Sequence, residues 1–415
     1  MKITVYRPNQ IGGCITEIES SKGSRIIIDV GSNLPGTESC TVDIKALTKG
    51  CDAVFITHYH GDHLGEFAKV DDSVPIYMGA VAHKIFLNLR KWLHDKDIET
   101  VKKFKTFVAT DQIKTESGDF IVTPYRVDHS AYDSYMFLIE CDGKRILHTG
   151  DFRTHGWTGK GFNKALETYI KKVDALICEG TMLSRPKGEM YTEAAMSADA
   201  IKHLRRNKHV FVLCSSTNID SIASFYQAAE QANRLFVTDV YQKTNLDIIT
   251  KSAGIDKRQS RLYNFERKKI YTYNDSDKHY KLHDYMNNQG FCMLIRPIPF
   301  HKNPLFENAL KRFPNNLIIY SLWDGYLEEG KPYANPDYIE FRNRAIENGS
   351  KFIPLHTSGH AYEEAIIDLC NIIRPDTILP IHSEEPGRFE ELRQSDDIKQ
   401  GVVKRFQGEK DTITI

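Results

Sequence analysis

Apolar and polar residues alternate with the period of strands through the first third of the chain. Residues 15–18 and 24–29 flank a Lys22-Gly23 turn and predict a β-hairpin. Residues 81–105 carry apolar positions at helical spacing among charged ones and predict a helix. Further runs of strand length follow at 51–56, 120–123, 135–139 and 145–148. The beginning of the chain is therefore expected to be rich in strands.

From about residue 194 the pattern changes to helices and strands in alternation. Predicted helices cover residues 194–206, 219–232 and 362–373, and predicted strands cover 210–214, 235–240, 291–295, 317–320 and 377–381, with a last short strand at the end. Such alternation is typical of βαβ units on a parallel sheet. The sequence contains neither a repeat nor a Pro/Gly linker. We therefore expect domain boundaries near 190 and 350 that no linker marks.

Composition fits a globular protein of about two domains. The chain has 415 residues, of which 41% are hydrophobic and 27% are charged, whereas one domain usually holds ~150 residues. The sequence lacks a run of the roughly 20 apolar residues that a membrane helix needs, and its start alternates like a strand rather than forming a signal peptide. From the missing membrane helix and signal peptide we expect a cytoplasmic location and no membrane partner. The eight cysteines form no Cys-x-x-Cys pair, so we also expect reduced thiols.

The formal net charge is zero. Proteins that bind nucleic acid usually carry a basic surplus, so this value counts against such a partner. A local basic groove is compatible with overall neutrality, and bound metal ions add positive charge where a phosphate would lie.

The strongest chemical signal is the sequence between Thr57 and Gly65, which follows a buried-strand pattern directly. It has the form His-x-His-x-Asp-His, with ligand types at His58, His60, Asp62 and His63. Imidazole nitrogen and carboxylate oxygen are favoured zinc ligands. In a tight loop the first two histidines can turn to one ion while Asp62 and His63 turn to another. A surface loop that is merely rich in histidine is the alternative, and this spacing after a strand argues against it.

The His-x-His-x-Asp-His loop resembles the signature of the metallo-β-lactamase superfamily. The resemblance implies a layered αββα sandwich of the α/β class. It also implies that Asp29 is the early structural aspartate, that His129 is the third histidine of the first metal site, and that Asp151 bridges two ions.

Three later motifs resemble those of the β-CASP branch, which includes RNase J and the pre-mRNA 3′-end endonuclease. Glu179 ends an apolar strand as in motif A, His360 resembles the histidine of motif B, and His382 resembles that of motif C. The resemblance implies an α/β β-CASP cap domain inserted into the metallo-β-lactamase domain. The expected organisation is residues 1–190 for the first part, 191–350 for the cap, and 351–415 for the return segment.

The same resemblance implies two divalent metal ions, which we expect to be zinc, although such sites also accept manganese. It assigns one ion to His58, His60 and His129, the other to Asp62, His63 and His382, and the bridge to Asp151. Asp62, Glu179 and His360 are the expected catalytic residues. Glu179 would orient a ligand histidine, and His360 would contact the scissile phosphate or donate a proton to the leaving oxygen.

Expected substrate contacts lie between a predicted strand and helix, at Ser215, Ser216 and Asn218. Hydroxyl and amide groups at a helix N-terminus suit a phosphate, but helix capping explains them about equally well. The related family holds phosphate with a similar segment. Ser358, beside His360, is a further expected contact.

The resemblance implies a hydrolase of phosphodiester bonds, most simply an exo- or endonuclease acting on single-stranded RNA in a groove between two domains. A DNA nuclease or a hydrolase of small esters or phosphodiesters would use the same metals. A catalytically silent subunit that binds nucleic acid is a third alternative, against which the complete set of ligand positions argues. A homo-oligomer is compatible with the sequence.

Overall fold

The fold is described from a computed structural model, which covers residues 1–37, 40–185, 188–253, 262–266, 269–296 and 304–415. The chain divides into two compact units. Unit 1 consists of Met1–Met190 with Gly359–Ile415, and unit 2 of Tyr191–Ser358. Assigning these units to the two predicted domains, with a separate role for each, stays a prediction.

The described strands form two sheets in unit 1 and one in unit 2. The first sheet comprises β1 (Lys2–Tyr6), β2 (Ile15–Glu19), β3 (Arg25–Ile28), β4 (Ala53–Phe55), β5 (Ile76–Gly79), β6 (Lys105–Phe107) and β20 (Lys410–Thr414). The second comprises β7 (Ile113–Lys114), β8 (Ile121–Val127), β9 (Ser134–Cys141), β10 (Lys144–His148), β11 (Ala175–Glu179), β18 (Thr377–Ile381) and β19 (Val402–Val403). Unit 2 contains β12 (His209–Cys214), β13 (Leu235–Thr238), β14 (Ile270–Thr272), β15 (Phe291–Ile295), β16 (Leu317–Ser321) and β17 (Lys351–Pro354).

Helices flank these sheets. In unit 1 they are α1 (Ile44–Thr48), α2 (Gly61–Leu64), α3 (Ala80–Trp92), α4 (Ile98–Lys102), α5 (Phe162–Ala165), α12 (Glu363–Ile373) and α13 (Arg388–Gln394). In unit 2 they are α6 (Glu193–Arg206), α7 (Ile219–Gln231), α8 (Val240–Ala253), α9 (Tyr280–Gln289), α10 (Pro304–Arg312) and α11 (Pro336–Glu347). Short 3-10 turns cover Phe67–Lys69, Gly159–Gly161, Thr181–Ser184, Asp277–His279 and Asp324–Leu327, and a π turn covers Leu166–Ile170. None of the helices within these ranges is both long and apolar enough to span a membrane.

The two sheets of unit 1 pack face to face. The first has the order β20-β1-β2-β3-β4-β5-β6 and the second β19-β18-β11-β10-β9-β8-β7. Their inner faces share one apolar core, which contains Ile28 and Phe55 of the first sheet and Phe137 and Ile177 of the second. The outer face of the second sheet packs on α12 through residues such as Leu369. The hairpin of β2 and β3 is antiparallel, as predicted.

The return segment of the chain completes the second sheet. After unit 2, β18 pairs in parallel with β11, so that Glu179 lies opposite Ile381. β11 pairs in parallel with β10 on its other side. Because the carboxyl ends of parallel strands lie at one edge of a sheet, residues that follow these strands come together there.

Unit 2 is a parallel α/β sheet in the order β14-β13-β15-β12-β16-β17. Its inner strands β13, β15 and β16 are buried along their whole length, as expected for strands whose two faces are both covered. Phe211, Phe291, Ile318 and Phe341 belong to its core. The predicted alternation of helices and strands from residue 194 is thus confirmed.

The prediction of one helix over residues 81–105 is wrong. α3 ends at Trp92, α4 covers Ile98–Lys102, and β6 begins at Lys105. His94 adopts a left-handed backbone with φ of 51°, which ends a right-handed helix. The carboxylate of Asp95 then accepts hydrogen bonds from the Arg90 side chain and from the backbone N–H of Asp97, which holds the break.

Candidate metal centre

The histidine loop follows β4 at the edge of the sandwich. His60 precedes the short helix α2, which carries Asp62 and His63. The loop is pressed against the segment that follows β3, since a Cβ at Gly31 would lie 1.7 Å from the Asp62 carbonyl oxygen. Only glycine permits this approach, and it brings the histidine loop against the neighbouring strand ends.

Three imidazoles converge on one point of this loop. Nε2 of His58 lies 3.0 Å from Nδ1 of His60, and that same Nδ1 lies 3.2 Å from Nε2 of His129. His129 follows β8, which belongs to the opposite sheet. The structure therefore brings together the three histidines predicted for one ion.

Hydrogen bonds determine which ring nitrogens of these histidines are available. Nδ1 of His129 donates to the carbonyl of Gly359 at 2.6 Å. The Thr57 hydroxyl donates to Asp29 at 2.8 Å, so its oxygen accepts from Nδ1 of His58 at 3.0 Å. The rings of His58 and His129 therefore carry their proton on Nδ1 and keep the lone pair of Nε2, the form that a metal ligand requires.

A second group of donors lies beside the first. Nε2 of His63 is 3.2 Å from Oδ2 of Asp151 and 3.9 Å from Oδ2 of Asp62. Nε2 of His382, which follows β18, is 3.4 Å from the same Asp62 oxygen. Nδ1 of His63 is held by Asp29 at 2.8 Å, which leaves Nε2 for a metal. The residues predicted for the other ion thus also converge.

Asp151 adjoins both groups. Its Oδ2 lies 3.9 Å from Nε2 of His58 and 3.9 Å from Nε2 of His129, in addition to its approach to His63. Within the part of the chain that the structure describes, Oδ1 of Asp151 and Nε2 of His63 are buried without a hydrogen-bond partner. Buried polar atoms are rarely left unsatisfied. Orphaned ligand atoms among imidazoles and carboxylates fit a bound divalent cation.

Ionisation divides the two groups of histidines. Burial is the main cause that lowers the pKa of His58 and His129 well below the ordinary value, and it lowers the pKa of His60 to about 4. Burial also opposes protonation of His63 and His382, but carboxylates, above all Asp151, outweigh it and raise the pKa of both rings. The first group is therefore neutral at pH 7, and the second must release protons to bind a metal.

A buried ion pair supports the loops that carry His129 and Asp151. Nε of Arg153, a fully buried side chain, donates to Oδ1 of Asp128 at 2.9 Å. The backbone N–H of Arg153 donates to the carbonyl of Asp128 at 2.7 Å. Each member of the pair is within two residues of a predicted ligand, so the pair fixes the two loops to each other.

Glu179 orients His360. Its Oε2 accepts from Nδ1 of His360 at 3.0 Å, and its Oε1 accepts from the N–H of Phe152 at 2.9 Å. The histidine that Glu179 contacts is therefore His360 rather than one of the predicted ligands. Glu179 ends β11 of the second sheet, and His360 lies in the segment that leads into α12. Although burial opposes it, Glu179 and then Asp151 raise the pKa of His360.

The other predicted contact residues belong to unit 2. Asn218 caps α7, accepting from the N–H of Ser221 at 3.4 Å, which is the capping alternative. Ser215 lies 3.0 Å from the Thr217 hydroxyl. The Ser216 hydroxyl is buried without a hydrogen-bond partner among the described residues, and Ser358 is half-buried at the end of the unit.

Sequence reasoning missed several residues of the centre. Thr57 links Asp29 to His58, and the Thr181 hydroxyl lies 2.7 Å from Nδ1 of His382. Cys14 approaches His63 and His382. Thr57 and Thr181 adjoin predicted motifs, which was the available signal, whereas the sequence around Cys14 gave none.

Two family profiles match the chain. One, described as a beta-lactamase superfamily domain, matches residues 24–212. The other, described as a Zn-dependent metallo-hydrolase RNA specificity domain, matches residues 351–394. The chain belongs to the metallo-β-lactamase superfamily, in its β-CASP branch. The predicted α/β fold class is thereby confirmed.

Ribonucleases J and an RNase J-like protein resemble large parts of the chain. Ribonuclease J from Helicobacter pylori is 25% identical over 407 residues, which cover 90% of this chain and 54% of that protein. Ribonuclease J from Mycoplasma pneumoniae is 24% identical over 349 residues, covering 80% and 57% respectively. An RNase J-like protein from Methanocaldococcus jannaschii is 30% identical over 188 residues, covering 41% and 40%. The chain thus spans about half the length of these relatives.

A crystal structure of a protein of unknown function from Enterococcus faecalis shares the fold. Its TM-score is 0.74 at 18% identity, and the match covers 100% of both chains. Membership of the metallo-β-lactamase superfamily, together with the buried imidazole and carboxylate donors, assigns a divalent metal to the centre.

Proposed function

We propose that this chain is a metal-dependent ribonuclease that hydrolyses phosphodiester bonds of single-stranded RNA. The observation that carries the proposal is the pair of adjoining donor groups, with Asp151 next to both and two buried ligand atoms left without partners. The match to an RNA specificity domain and the resemblance to ribonucleases J support RNA as the substrate.

We assign the predicted ligands to two ions. His58, His60 and His129 would hold one ion through their neutral rings; Asp62, His63 and His382 would hold the other, and Asp151 would bridge the two. When bound there, divalent cations would supply a water of lowered pKa, toward ~7, and positive charge to polarise a phosphate oxygen and stabilise the transition state. Zinc is the proposed metal, since histidine-rich sites favour it.

His360 is the proposed general acid. Its side chain is 23% exposed, whereas those of its neighbours His129 and His382 are each 1% exposed, so a substrate can reach His360 more easily than either neighbour. Glu179 holds Nδ1 of His360 and leaves Nε2 to donate a proton to the leaving oxygen.

Cleavage of end-labelled single-stranded RNA tests the proposal, beside DNA of the same sequence and small phosphodiesters and esters. We expect the zinc-loaded protein to cut RNA, the chelator-stripped protein to be inactive, and zinc to restore cleavage. The ladder of products distinguishes exonuclease from endonuclease. Cleavage of DNA alone would favour the DNA-nuclease alternative. If the loaded protein leaves both nucleic acids intact, the nuclease proposal is wrong, and activity on small esters would identify another hydrolase.

The substitution Glu179→Gln is expected to change the pH profile of cleavage. Removing the carboxylate takes away the partner that raises the pKa of His360. His360 then loses its proton at a lower pH. The alkaline limb of the kcat/KM profile should therefore shift toward lower pH by about one pH unit. A pH series with the single variant measures this shift.

The substitution His360→Gln is the companion control for Glu179→Gln and should abolish that alkaline limb. A limb that stays in the wild-type position in Glu179→Gln would contradict the assignment of the acid. Metal content measured on both variants separates this effect from loss of the ions.

In unit 2, we propose that Ser215, Ser216, Asn218 and Ser358 contact the phosphate backbone. The buried Ser216 hydroxyl without a partner among the described residues supports this proposal. A cytoplasmic location and a homo-oligomeric state also stay predictions.

A further inference from the structure

Cys14 lies next to the donors of the second group. Its sulfur and one ring nitrogen each of His63 and His382 lie within 4.8 Å of one another. The thiol is a free cysteine of intermediate exposure, and it makes a side-chain contact with His382. The proximity places a soft donor beside two imidazoles.

The backbone fixes Cys14 in this position. Its N–H donates to the carbonyl of Asp62 at 2.9 Å, and its own carbonyl accepts from the N–H of Gly31 at 2.9 Å. The buried Arg7 guanidinium binds the carbonyls of Gly13 and Gly31, at 3.4 and 3.2 Å. The backbone of Cys14 is therefore hydrogen-bonded to the loop that carries Asp62 and His63, and this contact fixes its position.

A separate observation identifies a ligand position here. Nε2 of His63 is buried, in a side chain that is 2% exposed, and it has no hydrogen-bond partner in the described ranges. Its other nitrogen is held by Asp29. Because the ring is fixed in this orientation, Nε2 is the nitrogen that faces Asp62 and Asp151 and that can bind a metal once its proton is released. His382 and Cys14 lie close to the same ring.

We propose that the sulfur of Cys14 is a ligand of the ion held by Asp62, His63 and His382. On binding, the S–H bond breaks, its proton passes to solvent, and a sulfur–metal bond forms. This inference rests on the metal centre of the proposed function, but it does not depend on the substrate.

A sulfur ligand would change the metal preference of the site. Thiolate favours zinc, whereas carboxylate and water favour manganese. Without Cys14, the second group offers carboxylates and imidazoles, which accept both metals. With Cys14 bound, we expect this ion to be zinc even when manganese is abundant.

X-ray absorption at the zinc edge tests the proposal on the zinc-loaded chain of 415 residues. We expect a zinc–sulfur shell at about 2.3 Å, with about one sulfur for two zinc ions. The shell should disappear in Cys14→Ser and persist in Cys40→Ser, a matched control because Cys40 is also a free thiol of intermediate exposure in unit 1. Cobalt in place of zinc should give a sulfur-to-cobalt charge-transfer band that follows the same pattern.

Competition between metals provides a second measurement. After dialysis against equal concentrations of zinc and manganese, the wild type should retain zinc at both metal positions. In Cys14→Ser, the zinc affinity of one position should fall by about tenfold or more. A wild-type spectrum with nitrogen and oxygen neighbours alone would overturn the proposal, as would a sulfur shell that survives in Cys14→Ser. A sulfur shell in a protein that leaves RNA uncut would support Cys14 while contradicting the ribonuclease.

Discussion

Replacing Asp151 by asparagine should reduce RNA cleavage by at least about a thousandfold and lower the metal content of the chain. Asp151 adjoins both donor groups, and its Oδ1 is buried without a hydrogen-bond partner among the described residues. Asparagine keeps the size of the side chain but removes the negative charge that would hold two cations near each other. Metal analysis and cleavage assays on the purified variant measure both effects.

Asp133→Asn is the matched control for this substitution. Asp133 is a buried carboxylate of unit 1 that accepts from the N–H groups of Val81 and Ala82 and from the Tyr135 hydroxyl, at 2.8, 3.0 and 2.7 Å. It lies outside both donor groups, so Asp133→Asn should lower stability and leave the metals in place. Wild-type metal content together with cleavage within tenfold of wild type in Asp151→Asn would contradict the bridging role.

Asp29→Ala is expected to have the second large effect, on stability and metal affinity together. The buried carboxylate accepts from the N–H and the hydroxyl of Thr57 and from Nδ1 of His63, all at 2.8 Å. Alanine would leave these buried donors unpaired, at a cost of about 3–5 kcal/mol. It would also have to adopt the left-handed backbone of Asp29, at φ of 62°, which costs roughly 1 kcal/mol more. Thermal unfolding and zinc titration measure the two effects.

Asp133→Ala separates the two consequences of Asp29→Ala. Asp133 has the same left-handed backbone, at φ of 68°, and it likewise accepts three hydrogen bonds. The two variants should therefore lose similar stability, but Asp29→Ala alone should lose zinc affinity, by about 10–100-fold. Asp29→Asn should fall between wild type and alanine, since asparagine tolerates this backbone and keeps one acceptor oxygen. Equal zinc affinities in both alanine variants would contradict the role of Asp29.

The local parts of this architecture could be predicted from the sequence. The hairpin of β2 and β3 follows from alternating residues around a turn, and the ligand types of the histidine loop are contiguous in the chain. Such features need only short-range information. The prediction of one helix over 81–105 was wrong because the left-handed backbone of His94 ends the helix. The helical spacing of apolar residues continues past this point, so the sequence pattern does not show the break.

The contacts across the sandwich could not be predicted in the same way. The bond between His129 and the carbonyl of Gly359 joins residues 230 positions apart, and the approach of Cys14 to His382 depends on how two sheets pack. Periodicity defines which face of a strand is buried, but it contains no information on which loops meet at the end of a sandwich. The partner of Glu179 was misjudged for that reason.

The insertion of unit 2 between β11 and β18 also sets a sequence of events during translation. β18 pairs with β11 only after the ribosome has synthesised all of Tyr191–Ser358, and His382 emerges later still. Until then the edge of β11 that pairs with β18 has no partner strand, and unpaired strand edges favour aggregation. Assembly of the proposed metal centre therefore has to wait for the return segment, and a polypeptide that stops before His382 would lack one of the proposed ligands.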